Sequence, residues 1–166
     1  SMHSTPVIRL VRHGDALQLD HIRALAFAPI FAAFRAMLGT HLFQQTHANC
    51  DADQAQYLVS LLAPDSGWEV YVAEYDGVVV GFVSLQLNQT TRIGEIGLNA
   101  VHPDWVGRGI GTAMYAFATT RMRAAGMHAA VVSTGDDEAH APARRAYAKA
   151  GFHIGIPSVW LCQSLD

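Results

Sequence analysis

The sequence predicts a single-domain α/β fold in which helices flank one mixed β-sheet. A chain of 166 residues, about half of them hydrophobic, suits one domain with a substantial core. Two β-rich runs flank Asp76-Gly77, which is a strong hairpin signal. The following strand leads through a glycine-rich loop into a helix, a succession typical of sheets covered by helices. We therefore expect residues 1–166 to form one domain.

The N-terminal third predicts one strand and then helices. Val7–Leu10 alternates weakly and is interpreted as a strand. Two helices are predicted over residues 15–27 and 28–38, with Pro29 in the first turn of the second and Gly39 after its end. A third helix is predicted from residue 51 to Pro64. The predicted inward positions are Leu17, His21 and Leu25 in the first helix, and Ile30, Phe34 and Met37 in the second.

The remaining elements follow from alternation and from turn residues. Strands are predicted over residues 68–75, 78–87 and 93–101, then a helix over 109–125, a buried strand over 128–134, a helix over 142–150, and closing strands over 152–154 and 158–162. Alternation along residues 93–101 places Ile96, Leu98 and Ala100 on one face and Glu95, Gly97 and Asn99 on the other. A carboxylate and an amide would thus share one side of this strand.

Composition excludes several classes of protein. A net charge of −3 argues against a nucleic-acid binder and suits a cationic amine substrate. No uninterrupted apolar run approaches the roughly 20 residues of a membrane span, and no secretory signal is visible, so we expect no membrane contact. Cys50 and Cys162 lack metal-ligand spacing, and the nine histidines are scattered, so we expect no metal site and a cytoplasmic location.

The segment Val106-Gly-Arg-Gly-Ile-Gly-Thr112 combines three glycines with a helix start. Glycine allows close approach of a ligand to the backbone, and a helix N-terminus attracts phosphate through free N–H groups. The spacing does not fit a dinucleotide fingerprint, G-x-G-x-x-G, and it lacks the Gly-Lys-Ser/Thr ending of a P-loop. A glycine-rich turn before an ordinary helix is the plainer alternative.

Two segments resemble motifs of the GCN5-related N-acetyltransferase (GNAT) family. The glycine loop resembles the family's Gln/Arg-x-x-Gly-x-Gly/Ala pyrophosphate loop. Residues 139–152 resemble its Asn-x-x-Ala-x-x-x-Tyr-x-x-x-Gly-Phe ending, with Ala143, Tyr147, Gly151 and Phe152 in place. The resemblance covers about residues 68–162. Two positions depart from the family pattern. Val106 replaces the usual Gln or Arg, and we expect Arg108 to supply a charge instead. His140 replaces the usual Asn.

The resemblance implies an acetyl-coenzyme A-dependent N-acetyltransferase acting on a primary amine of a small molecule or a peptide. It implies that coenzyme A contacts the following residues: Ala100, Val101, Val106, Gly107, Arg108, Gly109, Ile110, Gly111, Thr112, His140 and Ala143. Tyr147 is implied as the acid that protonates the leaving thiolate, with a core tyrosine as the alternative. Glu95, fourteen residues before Gly109, is the candidate base, acting directly or through water, with a strand carboxylate paired to Arg92 or water as the alternative.

The substrate is expected near Asn99 and the apolar N-terminal helices, where Phe31 and Phe34 are either lining or core residues. The sequence does not identify the amine or the oligomeric state, for which a homodimer is one option. An acyl-coenzyme A-binding or interaction module without turnover remains the alternative in another functional class.

Overall fold

A computed structural model describes residues 5–166 and contains a five-stranded sheet. The strands are β1 (Val7–Leu10), β2 (Glu69–Tyr75), β3 (Val78–Asn88), β4 (Ile93–Val101) and β5 (Ala129–Val132), in that spatial order. The first four are antiparallel, whereas β5 runs parallel to β4. The predicted mixed sheet is confirmed. The hairpin is confirmed too, since Asp76 and Gly77 both have positive φ, at 52° and 80°, as a type I′ turn requires.

Within residues 5–166, four α-helices cover the two faces of the sheet. They are α1 (Ala16–His47), α2 (Cys50–Leu62), α3 (Ile110–Ala124) and α4 (Ala141–Lys149). One core joins α3 and α4 to the sheet through residues such as Ile96, Ile110, Met114, Met122 and Tyr147. A second core joins α1 and α2 to the other face through Leu19, Ile22, Leu58, Val72 and Phe82. The candidate site lies on the α3 and α4 face, where the two motif segments meet.

Helix α1 corrects three predictions about the N-terminal third. The two predicted helices are one, and Pro29 lies inside it rather than in a first turn. Proline removes only one backbone hydrogen bond, and the helical turns continue on both sides. Gly39, with φ 80°, interrupts the helical conformation as expected for a helix end. The predicted inward positions are wrong in the first helix, where Leu17 is 87% exposed, and at Met37, which is 61% exposed. Ile30 and Phe34 are half-buried, which is closer to the prediction.

The residue that anchors α1 to α2 is a buried arginine. Arg23 is 1% exposed, and its guanidinium donates to Asp20, Asp51 and Gln54, each at 2.9 Å. These bonds satisfy a charge that would otherwise be expensive to bury. The hydrophobic pattern could not reveal this position, since arginine is almost never fully buried unless it is paired.

Joining the two predicted helices also changes the membrane expectation. By length and composition alone, His13–His47 is sufficient to cross a membrane, and 11% of its most apolar window is buried. The sequence analysis predicted two helices, over residues 15–27 and 28–38, and each was too short to cross a membrane, whereas the combined helix is long enough by length and composition. Helix α1 packs on the sheet through Leu19 and Ile22.

The C-terminal expectations are wrong in two respects. The closing strands predicted over residues 152–154 and 158–162 are absent from the part of the chain that the structure describes, where residues 152–166 have no regular structure. Strand β5, predicted to be buried, lies at the edge of the sheet, and its Val131 is 43% exposed. Without strands over residues 152–166, no strand pairs with the outer edge of β5 among residues 5–166.

Candidate active site

A β-bulge in β4 decides which of its side chains face α3 and α4. Asn99 pairs with Val83 and Ile96 pairs with Leu85, so β4 has one residue more than β3 between these two pairs. An extra residue in one strand reverses the alternation beyond it. Ile96 and Asn99 therefore face the same helices, although they are three positions apart.

The bulge overturns the predicted faces of β4. Ile96 belongs to the α3 and α4 core, whereas Leu98 and Ala100 belong to the α1 and α2 core. Asn99 faces α3 and α4. Glu95 faces away from them, because it alternates with its neighbour Ile96 before the bulge. Glu95 and Asn99 consequently do not share a face, and the simple alternation used in the sequence analysis fails at residue 97.

Gly97 allows the bulge to form. A Cβ built there would lie 2.5 Å from the Trp68 ring and 2.7 Å from the Ser84 hydroxyl. That hydroxyl, fully buried, donates to the Leu98 carbonyl at 2.8 Å and holds the bulged backbone. An isolated glycine within a strand is a recognised signal for a bulge, and it could have corrected the predicted faces.

The sheet opens immediately after the bulge. The parallel pairing of β4 with β5 runs from Ile93 with Ala129 to Ile96 with Val132. The β4 backbone through Ala100 and Val101 continues past that last pair, so its β5-facing edge has no strand partner within residues 5–166. Backbone N–H and C=O groups along such an edge can bind an extended ligand in the manner of an added strand.

Three polar side chains meet beside this opening. Asn99 Nδ2 donates to the Tyr147 hydroxyl at 3.0 Å and to the Gly97 carbonyl at 2.9 Å, and Tyr115 Oη donates to Asn99 Oδ1 at 2.6 Å. The two phenol rings stack with centroids 4.2 Å apart. Tyr147 accepts the hydrogen bond from Asn99, so this contact leaves its own hydroxyl hydrogen available for donation.

Tyr115 is a site residue that sequence analysis missed. It is 4% exposed, and burial raises the pKa of its phenol well above the ordinary value, with a further contribution from neighbouring Tyr147. A phenol that stays protonated keeps donating to Asn99 Oδ1, which turns the amide NH₂ towards Tyr147. Tyr115 directly follows Met114 in α3, and a predicted apolar face wider than one residue in every three or four would have included it.

The glycine loop lies at the start of α3. Gly107 and Gly109 have φ of 81° and 78°, a region that side chains rarely adopt, whereas Gly111 is helical. Among the described residues no side chain caps α3, and its first turn carries no acidic residue. The first N–H groups of a helix lack intrahelical acceptors, so this end is electrostatically suited to an anion.

Around the loop, the other predicted coenzyme A residues have distinct environments. Ile110 is buried, so only its backbone can face a ligand, and Thr112 and Ala143 are half-buried. Val106 is 59% exposed. The Arg108 guanidinium lies 4.5 Å from the Trp105 ring centroid. That contact orients the Arg108 guanidinium at the loop. The sequence analysis predicts that Arg108 supplies a charge there, because Val106 replaces the usual Gln or Arg.

His140 begins α4 without capping it through its side chain. Its Nδ1 is 2.5 Å from Asp137 Oδ1, and its ring stacks on Phe34 with centroids 6.3 Å apart. Although burial opposes ionisation, the contact with His140 lowers the pKa of Asp137 on balance. Phe31 lies next to Phe34, with ring centroids 6.4 Å apart. The structure thus brings two predicted substrate residues to the helix end that carries His140.

Glu95 stands apart from this cluster. Its side chain is exposed. A general base in this position was expected to be partly buried, because burial makes a carboxylate a stronger base. Among the described residues it forms no ion pair with Arg92, whose guanidinium instead donates to the Gly126 carbonyl at 2.8 Å. Any proton transfer between Glu95 and the cleft therefore requires intervening water.

Comparisons with known proteins identify the family. Residues 33–152 match the model of the Acetyltransferase (GNAT) family. The chain belongs to this family, whose members use acetyl-coenzyme A and transfer acetyl groups. A search of curated proteins found no match.

Solved structures share the fold at low sequence identity. A transcriptional regulator from Bacillus halodurans C-125 is 18% identical, with a TM-score of 0.65 and coverage of 96% of this chain and 100% of that chain. AAC(6')-Iy, solved with the bisubstrate analogue CoA-S-monomethyl-acetylneamine, is 13% identical, with a TM-score of 0.64 and coverage of 97% and 99%. A ribosomal-protein-alanine N-acetyltransferase from Brucella melitensis biovar Abortus 2308 is 21% identical, with a TM-score of 0.59 and coverage of 96% and 100%.

Proposed function

We propose that this protein transfers the acetyl group of acetyl-coenzyme A to a primary amine at the opening between β4 and β5. The observation that carries this proposal is the hydrogen bond from Asn99 to Tyr147 beside that opening. It places a phenol with an available proton close to the free edge of β4. The uncapped start of α3 lies on the same side and suits the pyrophosphate of coenzyme A.

In the proposed reaction, the neutral amine nitrogen forms a bond to the thioester carbonyl carbon, and the carbon–sulfur bond then breaks. Tyr147 donates its hydroxyl proton to the departing thiolate and regains a proton from water. The attacking nitrogen loses its proton to water, with Glu95 as the proposed final acceptor. The β4 backbone at Ala100 and Val101 holds the pantetheine arm, with further coenzyme A contacts from Val106 to Thr112, His140 and Ala143.

The acceptor amine enters from the side of Asn99, Phe31 and Phe34 in this proposal. The proteins of similar fold include enzymes named for an aminoglycoside and for a ribosomal-protein alanine, so both an amino sugar and a peptide N-terminus belong in a substrate panel. The net charge of −3 suits such cationic acceptors. We propose no contact with nucleic acid or membrane and a cytoplasmic location.

The test is thiol release from acetyl-coenzyme A in the presence of amino sugars, polyamines, amino acids and peptides. We expect one amine class to accelerate release well above hydrolysis, with one acetyl group added to the amine by mass spectrometry. Tight coenzyme A binding without acceleration by any amine class would instead support the non-catalytic acyl-coenzyme A-binding module. Absence of both binding and release would contradict the proposed cofactor.

A further inference from the structure

His140 and Asp137 form a paired imidazole and carboxylate in the loop that leads from β5 to α4. His140 Nδ1 lies 2.5 Å from Asp137 Oδ1, and the two side chains are only 16% and 20% exposed. Although burial opposes ionisation, the pKa of Asp137 is lowered on balance by this contact, so the carboxylate is ionised near neutral pH. Such an acceptor fixes the hydrogen of a neutral imidazole on Nδ1. The lone pair of the ring is then on Nε2, where it can take up a proton.

The loop backbone is shaped around this pair. A Cβ built at Gly135 would collide with His140 Nδ1 and with Asp137 Oδ1, so glycine leaves room for their contact. Arg144 Nη1 donates to the Gly135 and Asp137 carbonyls at 2.7 and 2.6 Å, which holds the loop against α4. The pair is therefore supported by the surrounding backbone and is not an isolated surface contact.

The open side of the pair is the Nε2 atom of His140. This nitrogen has no hydrogen-bond partner among residues 5–166. It is not buried either, because the one buried side-chain polar atom without a partner in that range is Asp137 Oδ2. A ligand can therefore reach Nε2. The buried Oδ2 favours proton uptake by the ring, since a positive charge next to the carboxylate compensates an oxygen that lacks a hydrogen bond.

We propose that His140, with Asp137 as its positioning residue, deprotonates the ammonium form of the acceptor before acetyl transfer. This inference rests on the proposed function, which starts from a neutral amine. One nitrogen–hydrogen bond of the ammonium breaks, its electron pair stays on the nitrogen, and the proton bonds to Nε2. The imidazolium keeps its Nδ1–H on Asp137 and later returns the added proton to water. The proton that the nitrogen loses after attack is a second one, for which water and Glu95 are proposed.

The aromatic residues beside His140 make this proton transfer easier. An alkylammonium ordinarily has a pKa near that of lysine, roughly 10.4, so only about one molecule in 2,500 is neutral at pH 7. The Phe34 ring stacks on His140 with centroids 6.3 Å apart, and Phe31 adjoins Phe34. Apolar surroundings disfavour the charged form of an amine and lower its pKa. An ammonium held against these rings therefore gives up its proton to an imidazole more readily than it does in water.

His140 and Tyr147 lie on one face of α4. They are seven positions apart, which is about two helical turns and a rise of roughly 10 Å. Two hydrogen bonds of about 3 Å, together with the reacting nitrogen, carbon and sulfur atoms, span roughly 9 Å. The reacting groups thus fit between the two side chains, with the nitrogen towards His140 and the sulfur towards Tyr147. The base and the acid then act on opposite sides of the reacting carbon.

The experiment compares the parent with His140→Gln at pH 7 and pH 9.5, on the panel amine that the parent acetylates fastest. Acetyl-coenzyme A is saturating, so a weaker cofactor contact does not enter the comparison. For an alkylamine we expect kcat/KM for the amine to fall about 100-fold at pH 7, within the usual range of base catalysis. At pH 9.5, where about one alkylamine in nine is neutral, the loss should shrink to less than about tenfold. In the variant, kcat/KM should follow the neutral fraction of the amine.

Two further variants separate the base from its surroundings. Asp137→Asn should show a smaller loss with the same dependence on pH, because the carboxylate acts through His140. His47→Gln is the matched control, since the His47 ring also contacts Phe34, at 5.6 Å between centroids, but its Nδ1 pairs with the Thr46 hydroxyl. It should match the parent at both pH values.

Three results would overturn the inference. The first is an unchanged kcat/KM in His140→Gln at pH 7. The second is a loss of equal size at both pH values, which would mean that His140 only supports the loop. The third is an equal loss in His47→Gln, which would assign the effect to the packing of Phe34. A parent that acetylates no amine would instead overturn the proposed function, and this inference with it, so the two failures are distinguishable.

Discussion

The unit formed by β4, α3 and α4 buries its apolar side chains and pairs its polar ones, whereas the C-terminal arm, residues 153–166, leaves most of its large apolar side chains exposed. In the unit, Tyr115 and Tyr147 are 4% and 6% exposed and share the amide of Asn99. In the arm, Ile154 and Ile156 are almost fully exposed. The difference indicates that the candidate active site is organised within the folded chain, whereas the arm contributes little to either core.

The glycine loop offers the largest expected effect. Gly109→Glu places a carboxylate at the start of α3, where an anionic pyrophosphate is proposed to bind, and like charges in close contact cost several kcal/mol. We expect the affinity for acetyl-coenzyme A to fall by more than about 100-fold, as measured by calorimetry. A loss of affinity of this size would show that the N-terminus of α3 binds the ligand and that the glycine loop is more than a turn.

The control for backbone strain is Gly77→Glu. Gly77 has φ 80° against 78° for Gly109, and at both positions a Cβ would meet no other atom within 4 Å. Both variants therefore carry similar strain, but Gly77 lies in the β2–β3 turn. Equal affinity in the parent and Gly109→Glu would remove the loop from the proposed binding site.

Much of this unit could be predicted from sequence because its signals are local. The span of β4 and the start of α3 after Gly109 depend on residues adjacent in the chain, as does the Asp76-Gly77 turn outside this unit, and all three are confirmed. The bulge at residue 97 also had a local signal, an isolated glycine, which strict alternation overrode.

The remaining features depend on residues distant in sequence. Burial of Arg23 requires Asp51 and Gln54 on another helix. The orientation of Asn99 requires Tyr115 and Tyr147 on two helices. No periodicity encodes such contacts. Residues 152–162 do contain β-branched and aromatic residues, which favour strands. They form no strand because no strand of the sheet pairs with them.

Tyr115→Phe tests whether the unit positions its acid through Asn99. The variant keeps the ring stack and removes the donor to Asn99 Oδ1, so the amide loses its fixed orientation. We expect kcat to fall by roughly threefold to tenfold with little change in KM for acetyl-coenzyme A. Tyr71→Phe is the matched control, because Tyr71 is also buried and donates to Glu69 at 2.6 Å, away from the site. Equal kcat in the two variants would count against a positioning role.

His140→Ala examines the junction between the unit and α1. The ring contacts Asp137 and Phe34 and does not cap α4, so a stability effect through capping is not expected. We expect KM for acetyl-coenzyme A to rise about threefold to tenfold, the loss of roughly one hydrogen bond. An unchanged KM would remove His140 from the cofactor site.

The smallest predicted effect is the loss of folding stability on acidification. The hydrogen bonds from Arg121 lower the pKa of Glu69 from its ordinary 4.5, despite partial burial. A depressed folded-state pKa contributes stability that is present above the ordinary value and is lost as pH falls through the folded value. Since both side chains are 30–38% exposed, we expect less than about 1 kcal/mol.

The measurement for this effect is the difference in melting temperature between the parent and Arg121→Gln. The difference should be constant above pH 4.5 and shrink in more acidic solution. A difference that stays constant down to strongly acidic pH would show that this ion pair does not contribute in the predicted way.

The most direct test of the central claim is single-turnover acetyl transfer by the parent and Tyr147→Phe, with the amine identified by the substrate panel. The substitution keeps the ring against Tyr115 and removes the hydroxyl, which is both the proton donor proposed for the thiolate and the acceptor for Asn99 Nδ2. Because a thiol has a pKa of roughly 8.5 and leaves readily, we expect the modest end of acid catalysis, a fall of about tenfold to a hundredfold. The dissociation constant for acetyl-coenzyme A should stay the same. Equal single-turnover rates would contradict the account and leave Tyr147 as a packing residue.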